Sequence, residues 1–333
     1  MPPSIIIVNY KSSRLILDCL HSIYRQGQEE FEVIVMDNSD DEEGRKAISG
    51  SYPMVKWIRM EYNAGFARAN NAGIRAATGD IILLLNPDTL VEDNAIAECA
   101  TRLRSSEYVA AGVQLLNPDR SPQITGNYFM TGGLNHLMAL PAVGRLIRWL
   151  GYRLKVKKTN VAHAEGLVEV DWINGAFLMV KRAAIDKAGP LDEDFFLYAE
   201  EIEWCNRLHR IGKLCVYGDL HTLHLQGESA NDAFGSSGKG YYNLSDRKGY
   251  QIMLSGLVRI RKQFGAGWFL FHLAAYLFTI PAYLLVTIIR TLFLQPGRKR
   301  EWADWWGFSV NVIGVCGFVP AILSKKPHFY KVL

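Results

Sequence analysis

Short apolar runs alternate with amphipathic stretches along the first third of the chain, and this alternation predicts its secondary structure. The apolar runs are rich in Ile, Val and Leu and are bounded by polar residues, as β-strands are. They are Ser4–Val8, Val33–Met36, Val55–Ile58, Ile81–Leu85 and Val109–Leu115. The stretches between them repeat apolar residues at helical spacing, near Arg14–Arg25, Phe66–Ala77 and Glu92–Arg104. Near-continuous apolar strands separated by helices predict an α/β fold whose mixed, mainly parallel sheet is covered on both faces.

The pattern weakens in the middle of the chain and then returns. Residues 117–165 are rich in Gly and Pro and carry a basic patch. They are expected to form long loops over the functional site of the predicted domain. The patch consists of Arg145, Arg148, Arg153, Lys155, Lys157 and Lys158. An apolar run at Val168–Val180 predicts one further strand, followed by a helix at Glu200–Arg210 and a strand at Leu214–Tyr217. We place this predicted catalytic domain at residues 1–250.

Beyond residue 256 the chain becomes strongly apolar and basic. Trp268–Leu294 is a 27-residue stretch whose only ionisable groups are His272 and Arg290, and Phe308–Leu323 is a shorter apolar run. Crossing the hydrocarbon core takes about 20 apolar residues, so the first run is long enough and the second is short. We predict a C-terminal helical, membrane-associated region at residues 251–333. A buried hairpin that closes the catalytic core is the alternative.

Pro281 and the flanking charges indicate how the first apolar run meets the membrane. Basic groups lie on both sides of it, at Arg259–Lys262 and Arg298–Arg300, so a single span would carry one group across the bilayer against the positive-inside tendency. We therefore expect a segment that is broken at Pro281 and dips into, or lies on, the cytoplasmic leaflet. Typical interfacial anchors follow it, namely Trp302, Trp305 and Trp306.

Charge and cysteine usage narrow the class of protein. The net charge is +4, yet residues 257–333 alone hold ten Lys or Arg and two acids. Because these basic residues flank apolar runs, they favour membrane lipids as a partner and argue against nucleic acid. Five scattered cysteines without a C-x-x-C pair argue against a disulfide framework or zinc site and favour a reducing compartment. Residues 1–9 lack the regions of a secretory signal, so we expect a cytoplasmic-facing protein.

Polar residues directly follow three of the predicted strands. Asn9 and Tyr10 follow the first strand, Asp37 follows the second, and Asn86 and Asp88 follow the fourth. In sheets of this kind, ligands bind beyond the carboxyl ends of the strands. We therefore expect these side chains to share one edge of the sheet.

Asp88 is the candidate metal ligand. A hard cation such as Mg²⁺ or Mn²⁺ prefers oxygen ligands and keeps positions open for phosphate oxygens. The same residues also fit a helix N-cap, with Asp88 or Thr89 capping the helix near Glu92. His224, beyond the strand Leu214–Tyr217, is a second candidate that would ligate the metal, contact a diphosphate, or serve only the structure.

Two further positions suit the nucleotide part of a ligand. Asp37 is placed to accept hydrogen bonds from a nucleobase imide or a ribose. Taken in isolation, however, it fits an Asx-turn in the acidic loop Asp37–Glu43 better. Residues 63–66 open a helix that carries Arg68 one turn in. Exposed amides beside an arginine suit a phosphate group.

A cluster of acids precedes and opens the helix at Glu200. Six of the twelve residues from Asp192 to Glu203 are acidic, and Phe195–Tyr198 lie among them. The helix macrodipole alone favours carboxylates at this end. A solvated face would not carry Phe-Phe-Leu-Tyr, however, and a carboxylate in a partly apolar pocket has the raised pKa that a general base needs.

Taken in order, these residues resemble the family 2 glycosyltransferases, in particular the rhamnosyltransferase-like branch. The matching motifs are Val8-Asn9-Tyr10, Asp37-Asn38-Ser39, Asn63–Asn70 (NAGFARAN), Asn86-Pro87-Asp88, Asn174–Leu178, Leu191–Arg207 and His224–Ser229. Together they cover roughly residues 4–230. Two positions depart from the family pattern, because its E-D pair reads Glu200-Glu201 here and its following Asp reads Glu203.

This resemblance implies a GT-A fold and an inverting, metal-dependent transfer of a sugar from a nucleotide-diphosphate donor. The catalytic residues it implies are Glu201, as a base one methylene longer than usual, and Glu200. The metal, Mg²⁺ or Mn²⁺, is expected at Asp88 and His224. The donor is expected at Asn9, Tyr10, Asp37, Asn63, Gly65, Arg68, Asn70 and Arg207.

The resemblance also implies substrates. The expected donor is dTDP-L-rhamnose, with UDP- or GDP-sugars as alternatives. The expected acceptor is a polyprenyl-diphosphate-linked saccharide at the cytoplasmic face of the inner membrane, in cell-surface polysaccharide assembly. A membrane-associated tail would raise the effective concentration of such an acceptor. The alternative of a different class is a catalytically silent sugar-nucleotide-binding scaffold, which the exchange at Glu201 leaves open.

Overall fold

The computed structural model describes residues 1–25, 31–128, 134–155, 159–225, 234–236, 243–294 and 299–332. The chain divides into two compact units. The first consists of Met1–Phe129, Thr159–Phe196 and Glu200–Ser229, and the second of Met130–Lys158, Leu197–Ala199 and Ala230–Leu333. The division at residue 250 that the sequence suggests stays a prediction.

A mixed sheet forms the centre of the first unit. Its strands are β1 (Ser4–Asn9), β2 (Glu32–Asp37), β3 (Lys56–Arg59), β4 (Ile81–Leu85), β5 (Thr89–Val91), β6 (Ala110–Leu116), β9 (Leu167–Val170), β11 (Phe177–Lys181) and β12 (Leu214–His224). Within the described residues the order is β3-β2-β1-β4-β11-β6-β12-β5, with β9 also on β12. Strands β1 to β4 are parallel, as are β6 and β12, whereas β11, β5 and β9 run antiparallel to their neighbours. The predicted mixed, mainly parallel sheet is confirmed.

Helices cover both faces of this sheet because its inner strands are apolar on both sides. They are α1 (Ser13–Tyr24), α2 (Glu42–Ser51), α3 (Gly65–Ala76), α4 (Ala95–Ser105), α6 (Arg182–Ala188) and α7 (Glu200–His209). Side chains alternate along a strand, so Ile5 and Ile7 of β1 join one buried cluster with α1 and α4. Ile6 and Val8 point the other way and join a second cluster with α3 and α7.

The structure corrects three expectations in this part of the chain. The run Val168–Val180 is not one strand but β9, the short β10 (Trp172–Ile173) and β11, because the polar turn at Asn174 interrupts it. The acidic loop after Asp37 leads into the unforeseen helix α2, whose first turn is capped by Asp41. Residues 117–165 are not all loop. They contain β7 (Gly126–Asn127), a 3-10 turn (Leu134–Ala139), α5 (Val143–Arg153) and β8 (Asn160–Val161).

The second unit contains α5 and the C-terminal helices. These are α8 (Arg247–Phe264), α9 (Ala266–Ile289), which continues into a π-helical turn (Arg290–Leu294), α10 (Lys299–Cys316) and α11 (Val319–Ser324). Helix α9 packs against α8 and α10, and the rings of Tyr276 and Phe308 stack with their centroids 6.4 Å apart.

The expected break at Pro281 is wrong, since α9 runs through this residue. A proline removes only one backbone donor, and flanking turns that keep their hydrogen bonds can carry a helix past it. Neighbouring packing supports the continuation, because Trp305 Nε1 of α10 donates to the carbonyl of Ile280 at 3.1 Å.

Helix α9 is a candidate for membrane association. Within the described parts of the chain, Ala266–Phe293 is the one helix long and apolar enough to cross a bilayer, with a mean hydropathy of 1.9. Only 22% of the most apolar 18-residue segment of this helix is buried. Phe278 and Leu285, for example, are largely exposed. This low burial does not favour the buried hairpin that the sequence left open.

Gly65 at the start of α3 generates a prediction about stability. Its φ is +71°, and a Cβ there would lie 2.3 Å from the carbonyl oxygen of Phe196, which accepts a hydrogen bond from Phe66 N. Gly65→Ala should therefore lower the free energy of unfolding by about 2 kcal/mol or more. Thermal unfolding in one detergent would measure this.

Gly50 in α2 supplies the matched control. Nothing lies within 4 Å of a Cβ added there, so Gly50→Ala should stabilise the helix by about 0.5–1 kcal/mol. If Gly65→Ala unfolds at or above the wild-type temperature, the steric account of this turn is wrong.

Candidate active site

The pairing of β5 with the end of β12 brings Asp88 and His224 together. Thr89–Val91 pairs antiparallel with Thr222–His224, so Thr89 lies opposite His224. Leu225 N continues the pairing by donating to the carbonyl of Asp88 at 2.9 Å. As a result Asp88 Oδ1 lies 3.4 Å from His224 Nε2, and both side chains are buried.

The alternative of a helix N-cap at Asp88 or Thr89 is wrong. A strand, β5, follows Asp88, and α4 begins only at Ala95 with Asn94 at its N-cap position. The Thr89 hydroxyl instead donates to the carbonyl of Asn86 at 2.8 Å, which tightens the turn between β4 and β5. Asp88 is therefore held at the sheet edge by strand pairing.

Gln123, which the sequence did not single out, orients the ring of His224. Its Nε2 donates to the His224 carbonyl at 2.7 Å and to Asn117 Oδ1 at 2.8 Å. These two acceptors fix the amide, so that Gln123 Oε1 faces His224 Nδ1 at 3.0 Å. Nδ1 then carries the proton, and the lone pair of Nε2 points toward Asp88. Gln123 lies in a stretch interpreted as loop, where no periodicity marks it.

The pair Asp88–His224 fits a divalent cation. A carboxylate and a neutral imidazole, whose other nitrogen donates to an oxygen, are a recurrent ligand set with its supporting shell. In the parts of the chain that the structure describes, no group of three or more His, Cys, Asp or Glu side chains is placed to hold a metal. Such a cation would therefore complete its shell with phosphate oxygens and water, as Mg²⁺ commonly does.

A second polar cluster forms where β1 and β2 end side by side. The parallel register pairs Asn9 with Asp37, and Asn9 Nδ2 donates to Asp37 Oδ1 at 3.0 Å. Ser39 N donates to the same oxygen at 3.0 Å, and Asp41 N donates to Oδ2 at 2.9 Å. The Asx-turn that the sequence left open is thus present, and it holds the buried carboxylate rigidly. Tyr10 follows, half-buried, at the rim of this cluster.

The end of β2 also holds the start of α3. Asn38 donates from Nδ2 to the carbonyl of Gly65 at 3.0 Å and accepts from Ala64 N at 3.3 Å. Asn63 Oδ1 accepts from Gly65 N at 3.2 Å. These contacts bring the first residues of the NAGFARAN motif to the edge that Asp37 occupies.

The other two predicted donor-binding residues of α3 have contacts within the protein. Arg68 donates to the carbonyl of Glu193 at 3.3 Å and to the Tyr62 hydroxyl at 3.2 Å. Asn70 is buried and donates to the carbonyl of Phe66 at 2.9 Å. A role in ligand binding stays a prediction for both.

Helix α7 presents Glu200 and Glu201 in different environments. Glu200 is buried, and among the described residues its Oε2 has no hydrogen-bond partner. Burial, and next the charge of Glu201, raise the pKa of Glu200 well above its usual value. Glu201 is half-buried and packs on Gly175 of the turn before β11, where an added Cβ would contact it at 3.6 Å.

This turn joins the acidic helix to the end of β4. Asn86 N, two residues before Asp88, donates to the carbonyl of Ala176 at 3.0 Å. On the other side, the hydrogen bond from Phe66 N to Phe196 O ties α3 to the segment that leads into α7. Asn9, Asp37 and Asp88 thus lie along the carboxyl ends of the strands, as the sequence predicts. The helix that carries Glu201 is joined to the same edge through the turn at Gly175.

Arg207 and Glu203 lie farther along α7 and bind each other. Glu203 accepts a bidentate pair from Arg207 at 2.7 to 3.1 Å, and Arg207 also donates to the carbonyl of Ala188 at the end of α6 at 2.6 Å. These bonds tie α7 to α6, and contact between Arg207 and a donor stays a prediction. Of the last motif, residues 226–229 lie outside the described residues, as do Lys157 and Lys158 of the basic patch.

Comparison with known proteins agrees with this geometry. The mannosyltransferase PcManGT from Pyrobaculum calidifontis, solved with GDP-Man and Mn²⁺, superposes with a TM-score of 0.53 over 97% of this chain and 87% of its own, at 16% identity. This likeness shows the fold, which is GT-A. Residues 4–164 match the family Glycosyl transferase family 2. The matched residues form a domain of this family.

Two curated relatives are similar over much of the chain. The low-salt glycan biosynthesis hexosyltransferase Agl10 of Haloferax volcanii is 31% identical over 66% of this chain and 66% of its own length. The N-acetylglucosaminyl-diphospho-decaprenol L-rhamnosyltransferase of Mycobacterium tuberculosis is 24% identical over 64% of this chain and 72% of its own. The match thus spans just under two thirds of the archaeal relative.

Glu200 generates a prediction about pH. Its raised pKa favours the neutral acid in the folded protein, so the stability it contributes is full below the usual pKa of Glu and is lost as pH rises through the folded pKa. Glu200→Gln removes this loss. The variant's unfolding temperature should therefore rise relative to wild type, increasingly so as the pH rises above the usual pKa of Glu.

Glu43→Gln, at an exposed position in α2, serves as the control and should shift the unfolding temperature by a pH-independent amount. Parallel curves for Glu200→Gln and wild type would show that Glu200 is ionised in the folded protein.

Proposed function

We propose that this protein is an inverting glycosyltransferase that moves a hexose from a nucleotide-diphosphate donor to a saccharide held on a polyprenyl diphosphate. The observation that carries the proposal is that the buried pair Asp88–His224 and the acid-rich start of α7, Glu200–Glu201, lie at one edge of a GT-A sheet. L-Rhamnose from dTDP-L-rhamnose is the preferred donor, because the mycobacterial relative is named as an L-rhamnosyltransferase. Its decaprenol-linked acceptor supports the lipid carrier.

The nucleoside end of the donor is assigned to the cluster at the end of β1 and β2. Asp37 Oδ2 accepts one hydrogen bond, from Asp41 N, and a carboxylate oxygen can accept a second from an imide or a ribose hydroxyl. Asn9 holds this carboxylate in place, and Tyr10 lies beside it at the rim. Asn63, Gly65 and Arg68 are assigned to the phosphates, with Asn70 and Arg207 supporting them from α3 and α7.

Asp88 and His224 are assigned to a Mg²⁺ or Mn²⁺ ion. When bound, the ion neutralises charge on the departing diphosphate, which is the usual Lewis-acid contribution. Gln123 keeps His224 in the tautomer that leaves Nε2 available. Hydrogen bonds that orient a ligand in this way are commonly worth about 10–100-fold in metal affinity.

Glu201 is assigned as the general base. In an inverting displacement the acceptor hydroxyl attacks from the face of the sugar opposite the diphosphate, so its proton must go to a group on that side. Asp88 and His224 occupy the diphosphate side, and α7 supplies the acids on another element. The raised pKa of Glu200 favours its neutral acid, whose hydroxyl can donate to the acceptor and orient it.

Replacing the base should separate turnover from binding. Glu201→Gln should keep donor affinity and lose on the order of 10²–10⁴-fold in turnover, whereas Glu201→Asp restores the family's usual residue and should retain activity. A panel of dTDP-, UDP- and GDP-sugars, assayed for release of the nucleoside diphosphate with a lipid-linked acceptor, measures the rate. Titration calorimetry with the nucleoside diphosphate measures binding.

Two neighbours on α7 serve as controls for this experiment. Glu203, which is paired with Arg207, should tolerate substitution by Gln with far less loss of rate than Glu201 does. Wild-type turnover in Glu201→Gln, with an inactive Glu200→Gln or Glu203→Gln, would overturn the assignment. Absence of any protein-dependent release would instead favour a catalytically silent sugar-nucleotide-binding scaffold.

The metal assignment predicts a matching set of losses. Asp88→Asn should abolish Mn²⁺ binding in the presence of nucleoside diphosphate, and EDTA should stop turnover in wild type. Gln123→Ala should weaken Mn²⁺ binding about 10–100-fold without removing a ligand. Electron paramagnetic resonance of free Mn²⁺ measures the affinity, with Asp18→Asn, at an exposed position in α1, as control. Full activity in Asp88→Asn would remove Asp88 from this role.

We place the enzyme at the cytoplasmic face of the cell membrane, in cell-surface polysaccharide assembly. Helix α9 and the polyprenol-linked acceptor of the mycobacterial relative support this location. We divide the chain into a catalytic domain at 1–250 and a membrane-associated region at 251–333. A UDP- or GDP-sugar is the alternative donor, and the structural neighbour with GDP-Man supports including it in the panel.

A further inference from the structure

Helix α5 presents an apolar face that the described residues leave exposed. Leu146, Trp149 and Leu150 lie three and four residues apart, so they share one side of the helix. Their side chains are 57%, 52% and 43% exposed. Of the whole helix only Gly144 is buried. Leu154, directly after the helix, is 74% exposed and extends this apolar surface.

Basic groups flank this face. Arg145 and Arg153 are exposed at its two ends along the helix, and Lys155 follows. The Arg153 guanidinium lies over the Trp149 ring, 5.2 Å from its centroid. This arrangement lets a long cationic side chain lie along an apolar surface while its head group stays at the level of water.

The surrounding sequence contains no acid to balance these charges. None of residues 120–164 is Asp or Glu, whereas seven are Arg or Lys. A basic helix with Trp and Leu on its exposed face is the pattern of helices that lie in the plane of a membrane interface and bind anionic lipids. We propose that α5 docks flat on an anionic bilayer surface, as a second membrane contact separate from α9.

The charges decide between lipid and other occupants. A second copy of the chain would meet this face through a two-fold axis, which places the basic residues Arg145, Arg153 and Lys155 of one copy against those of the other. A nucleic acid would satisfy the charges but would leave three exposed leucines in water. Anionic lipid satisfies both, because its phosphates meet the basic groups and its acyl chains receive Leu146, Trp149 and Leu150.

A contact within the second unit supports a shared membrane. Arg145 of α5 lies within electrostatic range of Tyr283 of α9, as do Asp304 and Glu301 of α10, so the first turn of α5 lies near the candidate membrane helix. Helix α5 would contribute an in-plane contact whose strength depends on lipid charge. The membrane contact of α9, which is apolar, would not depend on that charge. The proposal goes beyond glycosyl transfer and does not depend on it.

The test reads the environment of α5 itself, because α9 would bind lipid in any sedimentation assay. The full chain carries Cys316→Ser and Leu150→Cys, the latter labelled with an environment-sensitive fluorophore; the remaining cysteines are buried. The labelled protein is bound to vesicles of phosphatidylcholine, with or without phosphatidylglycerol, that carry a nitroxide quencher on the acyl chains. We expect a blue shift and quenching with phosphatidylglycerol and little of either without it. A label at Lys46→Cys, exposed in α2, should stay unquenched in both.

Charge neutralisation supplies the second arm. Arg153→Gln with Lys155→Gln should lower the lipid-bound fraction of α5 on the order of tenfold or more at low salt, since each basic group near an anionic surface contributes about fivefold. Lys46→Gln with Lys187→Gln removes the same charge from exposed positions elsewhere and should leave the quenching unchanged. The two double variants should release nucleoside diphosphate in detergent at the same rate. A failure of the lipid-docking proposal is therefore distinguishable from a failure of the proposed glycosyl transfer.

Three results would overturn the proposal. One is a Leu150 label that stays unquenched on phosphatidylglycerol vesicles to which the chain is bound. Another is equal quenching with and without phosphatidylglycerol. The third is a label that is already shielded without lipid while the protein sediments as a dimer, which would assign this face to a second copy.

Discussion

The antiparallel pairing of Thr89–Val91 with Thr222–His224 joins two segments that are far apart in the sequence, and the candidate active site depends on it. The pairing fixes the register, and a one-residue slip would turn every side chain of β5 to the opposite face. In the observed register His224 lies beside Asp88 and opposite Thr89. The backbone hydrogen bond from Leu225 to Asp88 extends the ladder past the end of the strand. Asp88 is thereby positioned by main-chain bonds, which a flexible surface carboxylate would lack.

The same edge is kept rigid by buried amides whose hydrogen bonds are satisfied on both sides. Asn38 holds the turn into α3, Gln123 holds His224, and Asn71 both donates to and accepts from the backbone of Leu191. A buried amide that lost either partner would cost about 1–3 kcal/mol. Each therefore specifies one arrangement of its loop, and the candidate ligands are preorganised before any substrate arrives. Tyr198 and Ala199, the two residues that directly precede α7, have φ angles of +71° and +69°. Backbone strain of this kind often accompanies functional sites.

Much of this fold follows from local patterns in the sequence. Apolar runs predict β1 to β4 and β6 to within one or two residues, because strands buried on both faces must be almost wholly apolar. The prediction of one strand at Val168–Val180 is wrong, since apolarity alone cannot reveal that the chain turns at Asn174 and passes from one sheet to another. Helix α2 is missed because its composition is that of a solvated loop and only Ile48 anchors it. Asp37 and Asp88 are predicted from their places at strand ends, and Glu201 is selected from its acidic cluster by the family resemblance. Gln123 is not predicted, since its role comes from tertiary contacts. The exposed face of α5 likewise becomes visible only once burial is known.

The central claim is that Asp88 and His224 bind a cation together with the diphosphate of the donor. Binding that joins two ligands at one site is reciprocal, so each must raise the affinity for the other by the same factor. Calorimetric titration of a nucleoside diphosphate into the wild-type protein, with and without Mn²⁺, tests this most directly. We predict markedly tighter binding with Mn²⁺ and loss of the difference in Asp88→Asn. Equal affinity with and without Mn²⁺ in the wild-type protein would contradict the account.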